Sequence, residues 1–184
     1  RGSLLPMYGC HWNPGPYRDL YLWDARTGGI NSPVRIDAVE AACAGWLERE
    51  FKGRKTSIAF PVLSPDLSRV FVKISAGDGG DEFRAEGISR RRGTVFFHLA
   101  TGEMSWFREK WGHPAWFPDS RRVIEMGNLV LDADGGPETV IPDVPSLWGM
   151  HPSVSPAGDL WVTDGRADRI GGRKEEYAVL VADV

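Results

Sequence analysis

One short phrase occurs three times in this sequence and constrains its fold more than any other feature. Each copy begins with a ring-bearing residue and a proline and has a second proline near its end. A polar turn follows each copy, and an apolar, strand-like run follows the turn. The copies lie at residues 60–66, 113–119 and 151–157. They start 53 and then 38 residues apart, and periods near 40 residues are typical of the four-stranded blades of β-propellers. The repeat therefore predicts a blade-like unit after each copy.

The residues of the phrase explain why it ends a strand. Its second proline cannot donate to a strand ladder. In the first two copies that proline is followed by Asp66 or Asp119, and an aspartate side chain can hold the next turn by accepting backbone N–H groups. We therefore expect a tight turn after each copy and a return strand beyond it.

The overall composition favours an all-β fold. Hydrophobic residues make up 42% of the 184 residues, aromatic residues 11%, and there are 22 Gly and 13 Pro. Many turn formers between short aromatic and β-branched runs are typical of sheets. We predict a single partial or half β-propeller over residues 1–184, with about four blade-like units. The units span about 1–36, 58–110, 111–142 and 149–184.

One segment is predicted to be helical instead. Apolar residues recur at helical spacing over 37–52, which predicts one inserted helix. Asp37 is a candidate N-cap with Glu40 three residues later, and Gly53 is a plausible stop. The Gly-rich, charged segment 76–92 is expected to be a long exposed loop.

The final unit reads as three strands instead of four. A propeller closes by pairing its last blade with its first, and an unfinished blade leaves an edge that invites association. We therefore expect self-association, or pairing with a missing remainder of the same propeller.

The net charge and the cysteine content limit the partners that we expect for this chain. A net charge of −3 gives no reason to expect nucleic acid or an anionic membrane, and no run approaches the roughly 18 apolar residues of a membrane span. Cys10 and Cys43 allow at most one disulfide. Cys43 lies on the apolar side of the predicted helix, so we expect it buried and reduced, and the cytoplasm is the favoured location.

Two groups of motifs carry a resemblance to known families. Ser64-Pro65-Asp66 followed by Arg69-Val70-Phe71 resembles the repeats of Tol-system-type β-propellers. The phrases at His113 and His151, with 9–12 and 20–24, are similar to bacterial oligogalacturonate-lyase-like proteins. That resemblance implies a seven-bladed propeller, a divalent metal (typically manganese) held by His and Gln, and a histidine base. This chain contains no Gln, so of these two types of ligand only histidine is present in it.

The candidate metal ligands are His113 and His151, which begin equivalent strands of successive units. If such strands line a central channel, the two imidazoles converge, and neutral imidazoles suit manganese or zinc. His11 is placed to join them from the first unit and is the candidate base. The alternative is that a histidine before proline only hydrogen-bonds a neighbouring sheet.

The remaining candidates concern an acidic sugar. Asp164 and Arg166 follow the third phrase, and an Arg at a channel mouth can hold a carboxylate bidentately or order a His. Arg166 is therefore a candidate catalytic residue and Asp164 a candidate substrate contact, although such a pair is also a common turn device. Trp12, Arg18 and Trp148 complete the candidate substrate-binding set.

Two functions from different classes are compatible with these residues. The first is a propeller segment that acts as a binding or assembly module, derived from an oligogalacturonate-lyase-like protein. The alternative is an enzyme: a metal-dependent polysaccharide lyase that cleaves acidic oligosaccharides by β-elimination. A metal that neutralises the uronate carboxylate and a histidine with a pKa near neutrality would suit that chemistry.

Overall fold

The computed structural model describes seven stretches of the chain. They are residues 4–7, 19–53, 56–76, 91–110, 112–125, 128–142 and 151–184. Within them most residues lie in β-strands and the helices are few and short, so the chain is mainly β, as the composition predicts. Most of the loop predicted at 76–92 lies outside the described residues.

The described strands form four separate sheets. The first sheet contains β1 (Leu4–Met7), β2 (Asp19–Asp24) and β3 (Ile30–Arg35). The second contains β4 (Thr56–Leu63), β5 (Arg69–Ala76), β6 (Arg91–His98) and β7 (Met104–Arg108). The third contains β8 (Ala115–Trp116), β9 (Arg122–Glu125), β10 (Leu129–Asp132) and β11 (Thr139–Val140). The fourth contains β12 (Ser153–Val154), β13 (Leu160–Arg166) and β14 (Tyr177–Asp183).

Each sheet is an antiparallel meander in which strands adjacent in sequence are hydrogen-bonded neighbours. The phrase lies at the first strand of three of the sheets. Pro61 is inside β4, Pro114 directly precedes β8, and Pro152 directly precedes β12. The three copies of the phrase therefore occupy corresponding places, at one outer strand of each sheet.

The turn inside the phrase is held by side chains, as its residues predict. Asp119 accepts the backbone N–H groups of Arg121 at 3.0 Å and Arg122 at 2.9 Å, and the Nε of Arg122 at 2.6 Å. In the third copy, Ser155, which precedes the second proline, takes this role, and its hydroxyl accepts the backbone N–H groups of residues 158, 159 and 160. The backbone is left-handed two residues after the second proline in every copy, at Leu67, Ser120 and Gly158.

The prediction of one helix beginning at Asp37 is wrong in its details. There are two helices, α1 (Ile36–Ala42) and α2 (Ala44–Phe51), separated by Cys43, whose ψ of 18° leaves the helical range. Gly45 follows at the start of α2, where its low helix preference favours an interruption. Asp37 lies in the first turn of α1 and does not cap it, and α2 ends at Lys52, which has a left-handed backbone. A short 3-10 helix, Ala167–Ile170, follows β13.

The chain divides into two compact units. Unit 1 comprises residues 1–63 and 67–111, and unit 2 comprises residues 64–66 and 112–184. In unit 1 the two helices bury Val39, Trp46 and Phe51 against a core formed by the first two sheets, and Cys43 is buried and free. A core cluster in unit 2 centres on Phe117, Ile124 and Trp161. Among the described residues no helix is long and apolar enough to span a membrane.

Candidate functional site

The two candidate histidine ligands lie side by side in unit 2. His113 precedes β8 and His151 precedes β12, and their ring centroids are 5.0 Å apart with an interplanar angle of 58°. His113 is buried, with 6% of its surface exposed, whereas 56% of the His151 side chain is exposed. The pair therefore combines one imidazole fixed in the protein with one that solvent can reach.

Asp164 on β13 holds His151 at two points. Oδ1 of Asp164 accepts the backbone N–H of His151 at 3.0 Å. The carboxylate also lies 3.1 Å (Oδ2) and 3.3 Å (Oδ1) from the ring nitrogen Nδ1. The backbone and ring of His151 are thus tied to one carboxylate on the adjacent strand. Asp164 is inside β13 and not at its end, which differs from the turn position considered for it.

The environment of Asp164 favours its ionised form. Partial burial works to raise its pKa, but the hydrogen bond and the charge of His151, together with backbone N–H donors, outweigh burial and leave the pKa below its ordinary value. Asp164 is therefore ionised at neutral pH, and an ionised carboxylate can only accept hydrogen bonds.

A buried carboxylate that the sequence analysis missed packs against Gly112, the residue before His113. Glu125, the last residue of β9, is only 4% exposed. Its side chain packs so closely on Gly112 that a Cβ at residue 112 would overlap the carboxyl group. Any larger residue at 112 would therefore require the buried Glu125 side chain to shift. The available signal was a Gly directly before His113 and a Glu directly after the apolar residues Val123 and Ile124.

The other candidate residues are placed differently. Arg166 forms a two-point ion pair with Asp168, with Nε to Oδ1 at 3.1 Å and a terminal nitrogen to Oδ2 at 2.8 Å. Asp164 and Arg166 therefore have different side-chain partners, His151 and Asp168. His11, Trp12, Arg18 and Trp148 lie outside the described residues.

The histidine pair fits part of a metal site. Two imidazoles that bind one tetrahedral ion through nitrogens about 2.1 Å away have ring centres roughly 5 Å apart, in line with the observed separation. In the part of the chain that the structure describes, no group of three or more His, Cys, Asp or Glu side chains is placed to hold a metal. Within the described residues, this pair could supply two ligands to a metal ion and no more.

No family model and no curated protein matches this chain. Solved structures do match it. An oligogalacturonate lyase in complex with manganese is 14% identical, with a TM-score of 0.50, over 97% of this chain and 59% of that one. A prolyl endopeptidase is 15% identical, with a TM-score of 0.51, over 79% of this chain and 22% of that one. The tricorn protease is 12% identical, with a TM-score of 0.50, over 89% of this chain and 14% of that one.

These neighbours support a propeller-like fold. At 12–15% identity the likeness concerns the fold alone. The chain spans less than two thirds of the length of each of the three proteins.

Proposed function

We propose that this chain is a β-propeller segment of about four blade-like units, derived from an oligogalacturonate-lyase-like protein, and that it acts as a binding or assembly module. The four antiparallel meanders are its blades in this proposal, and the phrase marks the first strand of three of them. One observation carries the binding role: the contact between His113 and His151, with His151 held by Asp164.

The proposed ligand of the histidine pair is a divalent metal, manganese or zinc. Neutral imidazole is a good ligand for these ions, and His113 and His151 would supply one nitrogen each. An acidic oligosaccharide is the proposed organic partner, since a bound cation attracts the carboxylate of a uronic acid. Neither a nucleic acid nor a membrane is part of this proposal.

The second candidate function is a metal-dependent polysaccharide lyase, and the same histidine contact favours it. In β-elimination a base removes the proton on C5 of the uronate, the electron pair forms the C4–C5 double bond, and the C4–O bond to the leaving sugar breaks. A divalent cation would supply neutralisation of the uronate carboxylate, which acidifies that proton. His11 is the proposed base and Arg166 a proposed carboxylate contact, with Trp12, Arg18 and Trp148 as sugar contacts.

Calorimetric titration of the purified chain with Zn²⁺ and with Mn²⁺ tests the binding site. We expect binding by the unaltered protein and its loss in His151→Ala, an exposed position where folding should survive. His98→Ala, at the end of β6 in unit 1, is the matched control and should bind as the unaltered protein does. If neither metal binds, or if His151→Ala binds as well as the original, the metal site is rejected.

A polyuronate assay separates the two candidate functions. The unsaturated product absorbs in the ultraviolet because of its new double bond. A rise in absorbance that depends on added metal and on His151 would favour the lyase. Metal binding without product would favour the binding module.

A further inference from the structure

We propose that Asp164 is a positioning residue that fixes the tautomer of His151, so that His151 presents Nε2 to a ligand. From the sequence, Asp164 is a candidate contact for substrate. Its carboxylate is instead directed at the backbone N–H and Nδ1 of one histidine. The inference rests on the proposed ligand site at His113 and His151, but the tautomer itself is measurable without any ligand.

The tautomer follows from the hydrogen-bond partners. A carboxylate has no hydrogen to donate, so the Nδ1 of His151 must carry the proton in the contact of 3.1 Å. In a neutral imidazole the other nitrogen then keeps its lone pair. Among the described residues, Nε2 of His151 has no hydrogen-bond partner, so this lone pair is available to a ligand.

In a second sheet, the corresponding residue of the second strand also contacts the first residue of the phrase. Lys73 and Asp164 each lie eight residues after the second proline of their phrase, Pro65 and Pro156. In unit 1 the phrase begins with Phe60, and the ammonium of Lys73 lies 4.0 Å from the centre of its ring. A cation suits the face of a phenyl ring, whereas a carboxylate suits an imidazole N–H. The residue at this position thus matches the ring that it contacts.

Asp164 is not explained as a turn device. The turn after the third phrase is held by Ser155, whose hydroxyl donates to Asp159 at 2.7 Å. Asp164 lies in the middle of a strand, paired in register with Val179 of β14. Its acceptor capacity is directed to His151, which leaves positioning of that histidine as its role.

The decisive variant is Asp164→Asn, which keeps the shape of the side chain. The backbone N–H of His151 needs an acceptor, so the Asn oxygen should stay on it and the amide NH₂ should face Nδ1. Nδ1 must then accept, and the proton moves to Nε2, as happens when Asn replaces the Asp of a catalytic His–Asp pair. Asp168→Asn, which affects only the pair with Arg166, is the matched control.

Nitrogen-15 NMR of the imidazoles in the full chain reads the tautomer directly. We expect Nδ1–H for His151 in the unaltered protein and in Asp168→Asn, and Nε2–H in Asp164→Asn. Loss of the Nδ1–H form in Asp164→Ala, with circular dichroism unchanged, would support the same conclusion. An Nε2–H tautomer in the unaltered protein, or the same tautomer in all four proteins, would overturn it.

Zn²⁺ titration links this role to binding. Loss of the residue that orients a ligating histidine typically costs about 10- to 100-fold in metal affinity, and we expect a loss of this size in Asp164→Asn. An affinity equal to that of Asp168→Asn would contradict the positioning role. If the unaltered protein binds no Zn²⁺, the proposed metal site fails, while the NMR result still decides the tautomer.

Discussion

At the scale of single residues, Asp119 shows how one side chain fixes a turn and makes the stability of the fold depend on pH. Burial works to raise its pKa, but the amides of Arg121 and Arg122 and the Arg122 guanidinium outweigh burial and lower it. A carboxyl whose pKa is depressed on folding stabilises the fold above its unfolded pKa, and that contribution is lost as the pH falls through the folded pKa.

Asp119→Asn should therefore lower the free energy of unfolding at neutral pH, by about 1 kcal/mol because the site is partly exposed. The difference from the unaltered protein should shrink as the pH falls below about 4, near the ordinary pKa of Asp. Urea denaturation over a range of pH measures this, with Asp183→Asn on β14 as the control. A difference that stays constant across the acid range would refute the linkage.

Gly112 is the second residue whose identity the structure explains. A Cβ there would overlap the buried Glu125 carboxyl group, and forcing extra volume into a packed site costs about 1–3 kcal/mol. Gly112→Ala should therefore destabilise the protein by that amount in chemical denaturation. Gly45→Ala is the control, because no atom lies within 4 Å of its Cβ position, and it should leave stability equal or slightly higher. Equal effects of the two variants would contradict this account.

From the sequence, the candidate site could be predicted only for residues that belong to the repeated phrase. His113 and His151 were selected together because they open two copies of one phrase, and the structure brings their rings together. The role of Asp164 depends on which residue lies across the hairpin, and strand register is not visible in one sequence. Arg166 was a candidate carboxylate contact, and in the structure its guanidinium is paired with Asp168, two residues away.

At the scale of elements, most strands were predictable because turn-forming residues mark where they begin and end. Gly28 and Gly102 both adopt a left-handed backbone after β2 and β6, a conformation in which glycine favours tight turns. The break at Cys43 was not predictable, because apolar side chains continue at helical spacing across it. Periodicity reports which side of a helix is buried but not whether its axis is continuous.

Trp46 anchors α2 in the core of unit 1. It is 6% exposed and makes edge contacts with Phe51 and Phe107, at centroid distances of 5.5 and 4.8 Å. Removal of a buried Trp side chain costs about 3–5 kcal/mol, so Trp46→Ala should lose that much in urea denaturation. Trp23→Ala, at a position 38% exposed on β2, should lose clearly less. Similar losses for both variants would show that the contacts of Trp46 are not what anchors the helix.

At the scale of the whole molecule, β14 has the features of a surface that another sheet covers. It is hydrogen-bonded to β13 along one edge, and among the described residues it is the last strand of its sheet. Tyr177, Val179 and Val181 are 77%, 72% and 60% exposed on one face. In the propeller that we propose, the covering sheet is a further blade, supplied by a second copy or by the remainder of the same protein.

For the chain of 20.4 kDa on its own, we therefore predict self-association through β14. A contiguous exposed apolar face favours contact between copies, and an unpaired strand edge can extend a sheet across two chains. Sedimentation equilibrium at micromolar concentration should show a dimer or larger species. Val179→Lys with Val181→Lys should shift it towards monomer, because two ammonium groups would have to be desolvated in the contact. Ile30→Lys with Ile170→Lys, which adds the same two charges at exposed apolar positions outside β14, is the control. A stable monomer of the unaltered chain would reject self-association.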